Sequence, residues 1–169
     1  QADATGKSAV LMHVALDRFK QVNDQCGHQT GDAVLKSVAR RLRDLAPPHR
    51  AARLGGDEFL VLVDGDDAPD RAKTLAAAIL EAMAQPCTVD GRELHVSCSI
   101  GMATYPQHGA QSVLITHAAV ATRASKAGGG AAYSVFDPRM VNDVRDQAEL
   151  LNDLRLALSH HQLELYYRS

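Results

Sequence analysis

The run Ser8 to Leu16, SAVLMHVAL, is almost wholly apolar and is bounded by polar residues. A strand with one wet face alternates apolar and polar residues, whereas a continuous apolar run marks a strand covered on both faces. The chain therefore has to form a sheet with this strand inside it. Further along, RAARL (50–54) and EFLVLV (58–63) flank Gly55-Gly56-Asp57, two strand-like runs joined by a tight glycine turn. That pattern predicts a hairpin with its tip at Gly55 to Glu58.

Between these runs the periodicity changes. Asp17 to Cys26 is short and polar, and Gly27 and Gly31 break it before a helix over 32–46, where Val34, Leu35, Val38, Leu42 and Leu45 recur at helical spacing. Pro47-Pro48 ends that helix. Pro69 to Ala84 reads as a second helix with Asp66 or Asp67 as its cap. CTVDGRELHVSCSIGMATY (87–105) predicts a strand, an Asp90-Gly91 turn and a long alternating strand. Ser112 to Lys126 is a third amphipathic helix, stopped by Gly128-Gly129-Gly130, and AYSVF (132–136) is a short strand.

The implied fold class is α+β, a mostly antiparallel central sheet flanked by helices on a ferredoxin-like plan. Beyond Pro138 the character shifts. Val144, Ala148, Leu151, Leu154 and Leu158 recur at three- and four-residue steps among charges, the pattern of a connecting helix over 139–160, and the strand-like LELYYRS closes the sequence. The expected division is a domain over 1–138, that helix, and the first strand of a further domain over 161–169.

Composition narrows the function. With 169 residues the chain has room for one ordinary domain and a short appendage. Eighteen basic against 20 acidic residues leave a formal charge of -2, so there is no broad positive field for nucleic acid or an anionic membrane. Aromatics are 4% with no Trp, which builds the core from Ala, Leu and Val and withholds base-stacking platforms. Cys26, Cys87 and Cys98 form no CxxC pair, which points to buried thiols and a cytoplasmic, reducing address. No apolar stretch reaches the ~18 residues of a spanning helix, and Gln1-Ala2-Asp3 does not open a secretory leader. Any membrane anchor is expected outside this chain.

The chemistry concentrates at the hairpin tip. Gly55 and Gly56 let backbone approach a ligand closely, and Asp57 and Glu58 put two carboxylates beside it, a pair suited to Mg²⁺. From spacing alone an ordinary solvated β-turn, which suits Gly-Gly-Asp, is the commoner reading.

RLGGDEF (53–59) resembles the signature of the GGDEF domain, the diguanylate cyclase family. ALDRFKQVNDQCGHQTGDAVL (15–35) is similar to the family's D-[IL]-D-x-F-K-x-[IV]-N-D-x-x-G-H-x-x-G-D-x-x-L block, and SIGMATYP (99–106) and a helix ending in Lys126 before glycines also match. The resemblance spans about 8–138. LRLALSHHQLELYY (154–167) looks like the opening of an EAL domain, the family that hydrolyses cyclic di-GMP.

This resemblance implies condensation of two GTP into cyclic di-GMP between two facing domains, with Mg²⁺ on the triphosphate. Asn23 and Asp32 match guanine-binding positions, and an amide plus a carboxylate suits the guanine edge. Backbone around Arg18, Phe19 and Lys20, with Gly55 and Gly56, matches the phosphate cradle, and Lys126 matches a phosphate contact. Asp57 and Glu58 match the catalytic, metal-binding acids, and Leu16 matches a position that lends the metal its carbonyl.

The departures carry equal weight. Ala15 stands where the family has a metal-ligand Asp, and Gly130 where it has a phosphate-binding Arg. Ala119 and Arg123 replace the usual Asp and Tyr, and the inhibitory product site falls on Ala46 and His49, without its Arg and Asp. The family's opening helix has no counterpart here. Phosphoryl transfer depends on positioning and electrostatic stabilisation, so losing such contributors costs on the order of a hundredfold or more.

Three readings follow from the resemblance. The first is a degenerate GGDEF domain that binds GTP and regulates a downstream EAL phosphodiesterase in cis, with feeble cyclase activity over a weakened Mg²⁺ site. The second is an active diguanylate cyclase. The third is a docking or homodimerisation module without nucleotide. Thr5-Gly6-Lys7-Ser8 mimics a P-loop end but has Gln1 where the first Gly belongs, and the His160-His161 pair lacks zinc spacing.

Overall fold

The computed structural model describes residues 8–45, 50–105, 107–109 and 111–141. The apolar run becomes strand β1 (Ala9–Leu16), followed by helices α1 (Phe19–Cys26) and α2 (His28–Leu45). The hairpin β2 (Arg50–Gly55) and β3 (Glu58–Asp64) leads into helix α3 (Ala68–Met83). A small ribbon, β4 (Cys87–Val89) and β5 (Arg92–Leu94), precedes β6 (Cys98–Tyr105), helix α4 (Gln111–Ala127), β7 (Tyr133–Val135) and a 3₁₀ turn at Pro138–Met140. No helix among the described residues is long and apolar enough to cross a membrane.

The main sheet has the order β2-β3-β1-β6-β7, with β1 antiparallel to both neighbours and β6 parallel to β7. This is the α+β arrangement expected, and its central strand is the one the apolar run marks. Val10, Met12, Val14 and Leu16 face one core with Val34, Val38 and Leu42 of α2 and Ala72, Ala76 and Ile79 of α3. Leu11 on the opposite face meets Leu60, Ala103 and the small side chains Ala118 and Ala121 of α4. Small residues let that helix lie close, and closest at Gly101, where an added Cβ would collide with the Ala118 carbonyl and the Thr122 amide.

Local detail differs from the sequence pattern in four places. The polar stretch after Asp17, which the pattern leaves without an element, contains α1, which buries Phe19. Helix α2 starts at His28 and runs through Gly31, because the glycine is where α1 packs against it. The long alternating strand after Asp90-Gly91 is two strands: β5 stays with β4, while β6 joins the main sheet beside β1. Asp67 is the N-cap residue of α3 but makes no side-chain cap, its carboxylate instead lying 3.0 Å from Arg71 one turn on.

The thiols also differ from expectation: Cys87 and Cys98 are buried, but Cys26 is half-buried, and all three are free. Residues 142–169, including most of the expected connecting helix and the strand-like end, lie outside the described residues, as do Ala46 and His49.

Candidate functional site

The end of β1 organises the site. Ala15 pairs with Glu58 on one side and Ser99 on the other, so the hairpin tip and the start of β6 both flank it. Leu16 N–H donates to the Asp57 carbonyl at 3.1 Å, and Asp17 N–H to the Ser97 carbonyl at 2.8 Å. The tip itself is tight: Gly55 pairs with Glu58, Gly56 adopts φ 53°, and Arg53 Nε donates to the Gly56 carbonyl at 3.1 Å. A positive φ at Gly56 is the conformational reason for glycine there.

Glu58 is held from beneath. His13, two residues before Ala15 on the same face, is 4% exposed and reaches diagonally to Glu58, Nε2 to Oε1 at 2.7 Å. Its Nδ1 meets Thr122 Oγ1 of α4 at 2.8 Å. An ionised carboxylate only accepts, so Nε2 carries the proton in this contact. Burial alone would raise the Glu58 carboxyl, yet the His13 hydrogen bond, with His13 and Lys126 nearby, brings it below its ordinary 4.5. Asp57 goes the other way: burial and the Glu58 charge lift it above 3.8 against its own backbone N–H, Lys126 and His13.

Asp17 and Lys126 form the other half. Asp17 accepts from Ser97 Oγ (2.6 Å), Ser99 Oγ (2.7 Å) and Ala131 N–H (3.0 Å), and pairs with Lys126 Nζ (3.2 Å). Burial opposes its ionisation, but these donors outweigh it and hold the carboxyl below 3.8. Lys126 Nζ also donates to the Leu16 carbonyl at 2.9 Å. Gly130 belongs to this knot too, since a Cβ there would stand 2.7 Å from Asp17 Oδ2.

The phosphate-loop residues form the turn into α1. Arg18 is left-handed at φ 56° and gives α1 no side-chain cap, Phe19 is buried, and Lys20 is exposed. Orphan N–H groups at a helix start favour anions. Asn23 lies on α1 with its amide against Gly31, the residue before exposed Asp32 on α2. The glycines 128–130 end α4, the Gly130 N–H donating to the Ser125 carbonyl at 3.0 Å.

Sequence reasoning missed His13, Thr122 and Asp17. Its available signal was a lone imidazole inside an apolar central strand, on the same face as Ala15.

The residues present offer a Mg²⁺ ion fewer oxygen ligands than the family pattern implies. Among the described residues no group of three or more His, Cys, Asp or Glu converges on one point. Ala15 offers a methyl, Glu58 is engaged by His13, and the Leu16 carbonyl accepts from an ammonium. A hard divalent ion needs oxygen ligands at ~2.1 Å and tolerates a cation on the same oxygen poorly.

Comparison with known proteins places this geometry. The family model for the diguanylate cyclase GGDEF domain matches residues 1–132. The chain is 37% identical over 170 residues to the bifunctional diguanylate cyclase/cyclic di-GMP phosphodiesterase MucR of Pseudomonas aeruginosa, covering 99% of the chain and 25% of that protein. It is 36% identical over 160 residues to the cyclic di-GMP phosphodiesterase PdeR of Escherichia coli, covering 94% of the chain and 24% of that protein. The chain thus spans about a quarter of the length of these relatives. A solved GGDEF-only fragment of TpbB (YfiN) from Pseudomonas aeruginosa superposes with a TM-score of 0.79 at 31% identity, over 84% of this chain and 86% of that one. In sequence signature, strand order and matched length alike, the chain belongs to the GGDEF domain family.

Proposed function

We propose that this chain is a degenerate GGDEF domain of a cyclic di-GMP signalling protein, which binds GTP, makes little or no cyclic di-GMP, and regulates an EAL phosphodiesterase downstream. The observation that carries this reading is the register of Ala15 with Glu58, with His13 bonded to the same glutamate. An oxygen ligand is replaced by a methyl, and the facing acid is drawn towards the protein rather than towards a substrate.

The binding half of the site is better preserved. Asn23 and Asp32 offer an amide and a carboxylate to guanine, the N–H groups of Phe19 and Lys20 start a helix open to phosphate, and Lys126 supplies a cation beside that turn. Asp57 and Glu58 sit where the attacking hydroxyl would be activated. His13 already takes one oxygen of Glu58, which leaves the pair less free to act as a shared metal clamp.

Support for the phosphodiesterase neighbour comes from extent. Relatives named as phosphodiesterases match 94–99% of the chain, past the 132 residues of the family model, whereas the diguanylate cyclase TpbB matches 80%. On this reading residues 139–160 connect the domains and 161–169 open the EAL domain.

Two measurements decide. Titration calorimetry of the chain with GTP is expected to show saturable heat, and incubation with GTP and Mg²⁺ or Mn²⁺ is expected to yield no cyclic di-GMP above background. Clear turnover would establish the active-cyclase reading, and absence of heat at millimolar GTP would favour a docking module.

A further inference from the structure

Resting on the reading that this domain binds GTP, we propose that it does so without a divalent cation, the Lys126 ammonium and the backbone N–H groups opening α1 taking the charge-neutralising role. The basis is that protein groups already occupy the Leu16 carbonyl, the Asp17 carboxylate and one oxygen of Glu58 around the end of β1.

Two of the three acids are held by protein groups. Asp17 receives two hydroxyls, a backbone N–H and the Lys126 ammonium. Glu58 Oε1 receives Nε2 of His13, which is 4% exposed and bonded at both ring nitrogens. Ala15, between Glu58 and Ser99, is 4% exposed and adds no oxygen.

The Leu16 carbonyl is the decisive atom. Lys126 Nζ donates to it at 2.9 Å. An ion bonded to that oxygen at ~2.1 Å would stand within a few ångströms of the ammonium, a like-charge contact in a partly desolvated turn. The same ammonium spends two of its three N–H bonds on Leu16 and Asp17, and its side chain is 38% exposed, leaving the third N–H for a phosphate oxygen. Arg18 and Lys20, both exposed on the same turn, add positive charge without coordination.

The test is GTP titration of the whole chain by calorimetry, once with EDTA and once with excess Mg²⁺. The expected result is binding at least as tight in EDTA as in Mg²⁺. Binding seen only with Mg²⁺ would overturn this inference while leaving the GTP-binding reading intact, and no binding in either buffer would overturn both. A Lys126→Met variant is expected to bind GTP about tenfold or more weakly in EDTA, as for a lost charged hydrogen bond. Unchanged affinity in a folded Lys126→Met protein would refute the role of the ammonium. Independently of any variant, titration of the chain with Mn²⁺ alone, followed by the electron paramagnetic resonance of the free ion, is expected to show no saturable binding. A stoichiometric Mn²⁺ site at the tip would sink the proposal.

Discussion

The amide of Asn23 rests against Gly31, filling the space where any side chain at position 31 would begin. Alanine there gains up to about 1 kcal/mol of helix propensity. It also drives Asn23 Oδ1 away and crowds Phe19 Cζ at 3.2 Å. The amide is the end of a flexible side chain, so the expected outcome of Gly31→Ala is a folded protein with modestly altered melting temperature and GTP affinity lowered about tenfold. Calorimetry on the folded variant checks this, and undiminished affinity would remove Asn23 from the nucleotide site.

Gly101 and Gly56 should differ in how much an added methyl costs. At Gly101 the obstacle is helix backbone, the Ala118 carbonyl and Thr122 amide, which cannot yield without lifting α4 from the sheet. Gly101→Ala is expected to cost about 3 kcal/mol or more. Gly56 has nothing within 4 Å of an added Cβ and only its φ of 53° against it, so Gly56→Ala is expected to cost about 1–2 kcal/mol. Urea denaturation of both variants measures the contrast.

Acid should weaken the fold through Asp17 and Glu58. Both carboxyls are held below their ordinary values of 3.8 and 4.5 in the folded chain. Their stabilisation is therefore complete above those values and is lost as pH falls through the depressed folded ones. Asp17→Asn is expected to cost about 1.5–3 kcal/mol at neutral pH, with the difference from the unmodified chain shrinking as pH falls through the depressed folded value. Asp57 has the opposite sign, because its carboxyl is raised and its charge opposes folding. Asp57→Asn should thus stabilise by about 0.5–2 kcal/mol at neutral pH. Thermal melts across pH would contradict the assignment if Asp57→Asn destabilised.

The cysteines should separate by reactivity. Burial, with Asp17 alongside, pushes the Cys98 thiol up to about 12, so it stays protonated in the native state. Cys26 is half-buried on α1, 3.6 Å from Arg92 Nη2. Iodoacetamide at pH 8 is expected to alkylate Cys26 first and to spare Cys87 and Cys98 until the chain is unfolded, as read by peptide mass spectrometry.

The strand β1 and the hairpin at Gly55 to Glu58 were legible because each has a local signal, an unbroken apolar run and a glycine turn between alternating residues. Helix α1 was not, because only Phe19 is buried on it and its polar surface mimics a loop. The start of α2 was hidden by Gly31, whose penalty in a helix is real but is outweighed by the packing of α1. Period-two alternation runs on through His95 to Ser97, so the switch from the β4–β5 ribbon to the main sheet leaves no trace in pattern. In the site, the family resemblance offered Asp57, Glu58, Asn23, Asp32 and Lys126 as candidates. It was silent on His13–Thr122, a contact between residues 109 apart in sequence that exists only because Gly101 lets α4 down onto the sheet.

The pairing of Ala15 with Glu58 above His13 has a historical consequence. An aspartate arriving at position 15 would meet a glutamate already committed to an imidazole, and would crowd a second negative charge into the sheet. Only after His13 has changed would that same aspartate find a free neighbour with which to share an ion. On the proposed reading the two positions are coupled, and Ala15→Asp is expected to favour an ion more strongly in a chain whose His13 has also been replaced.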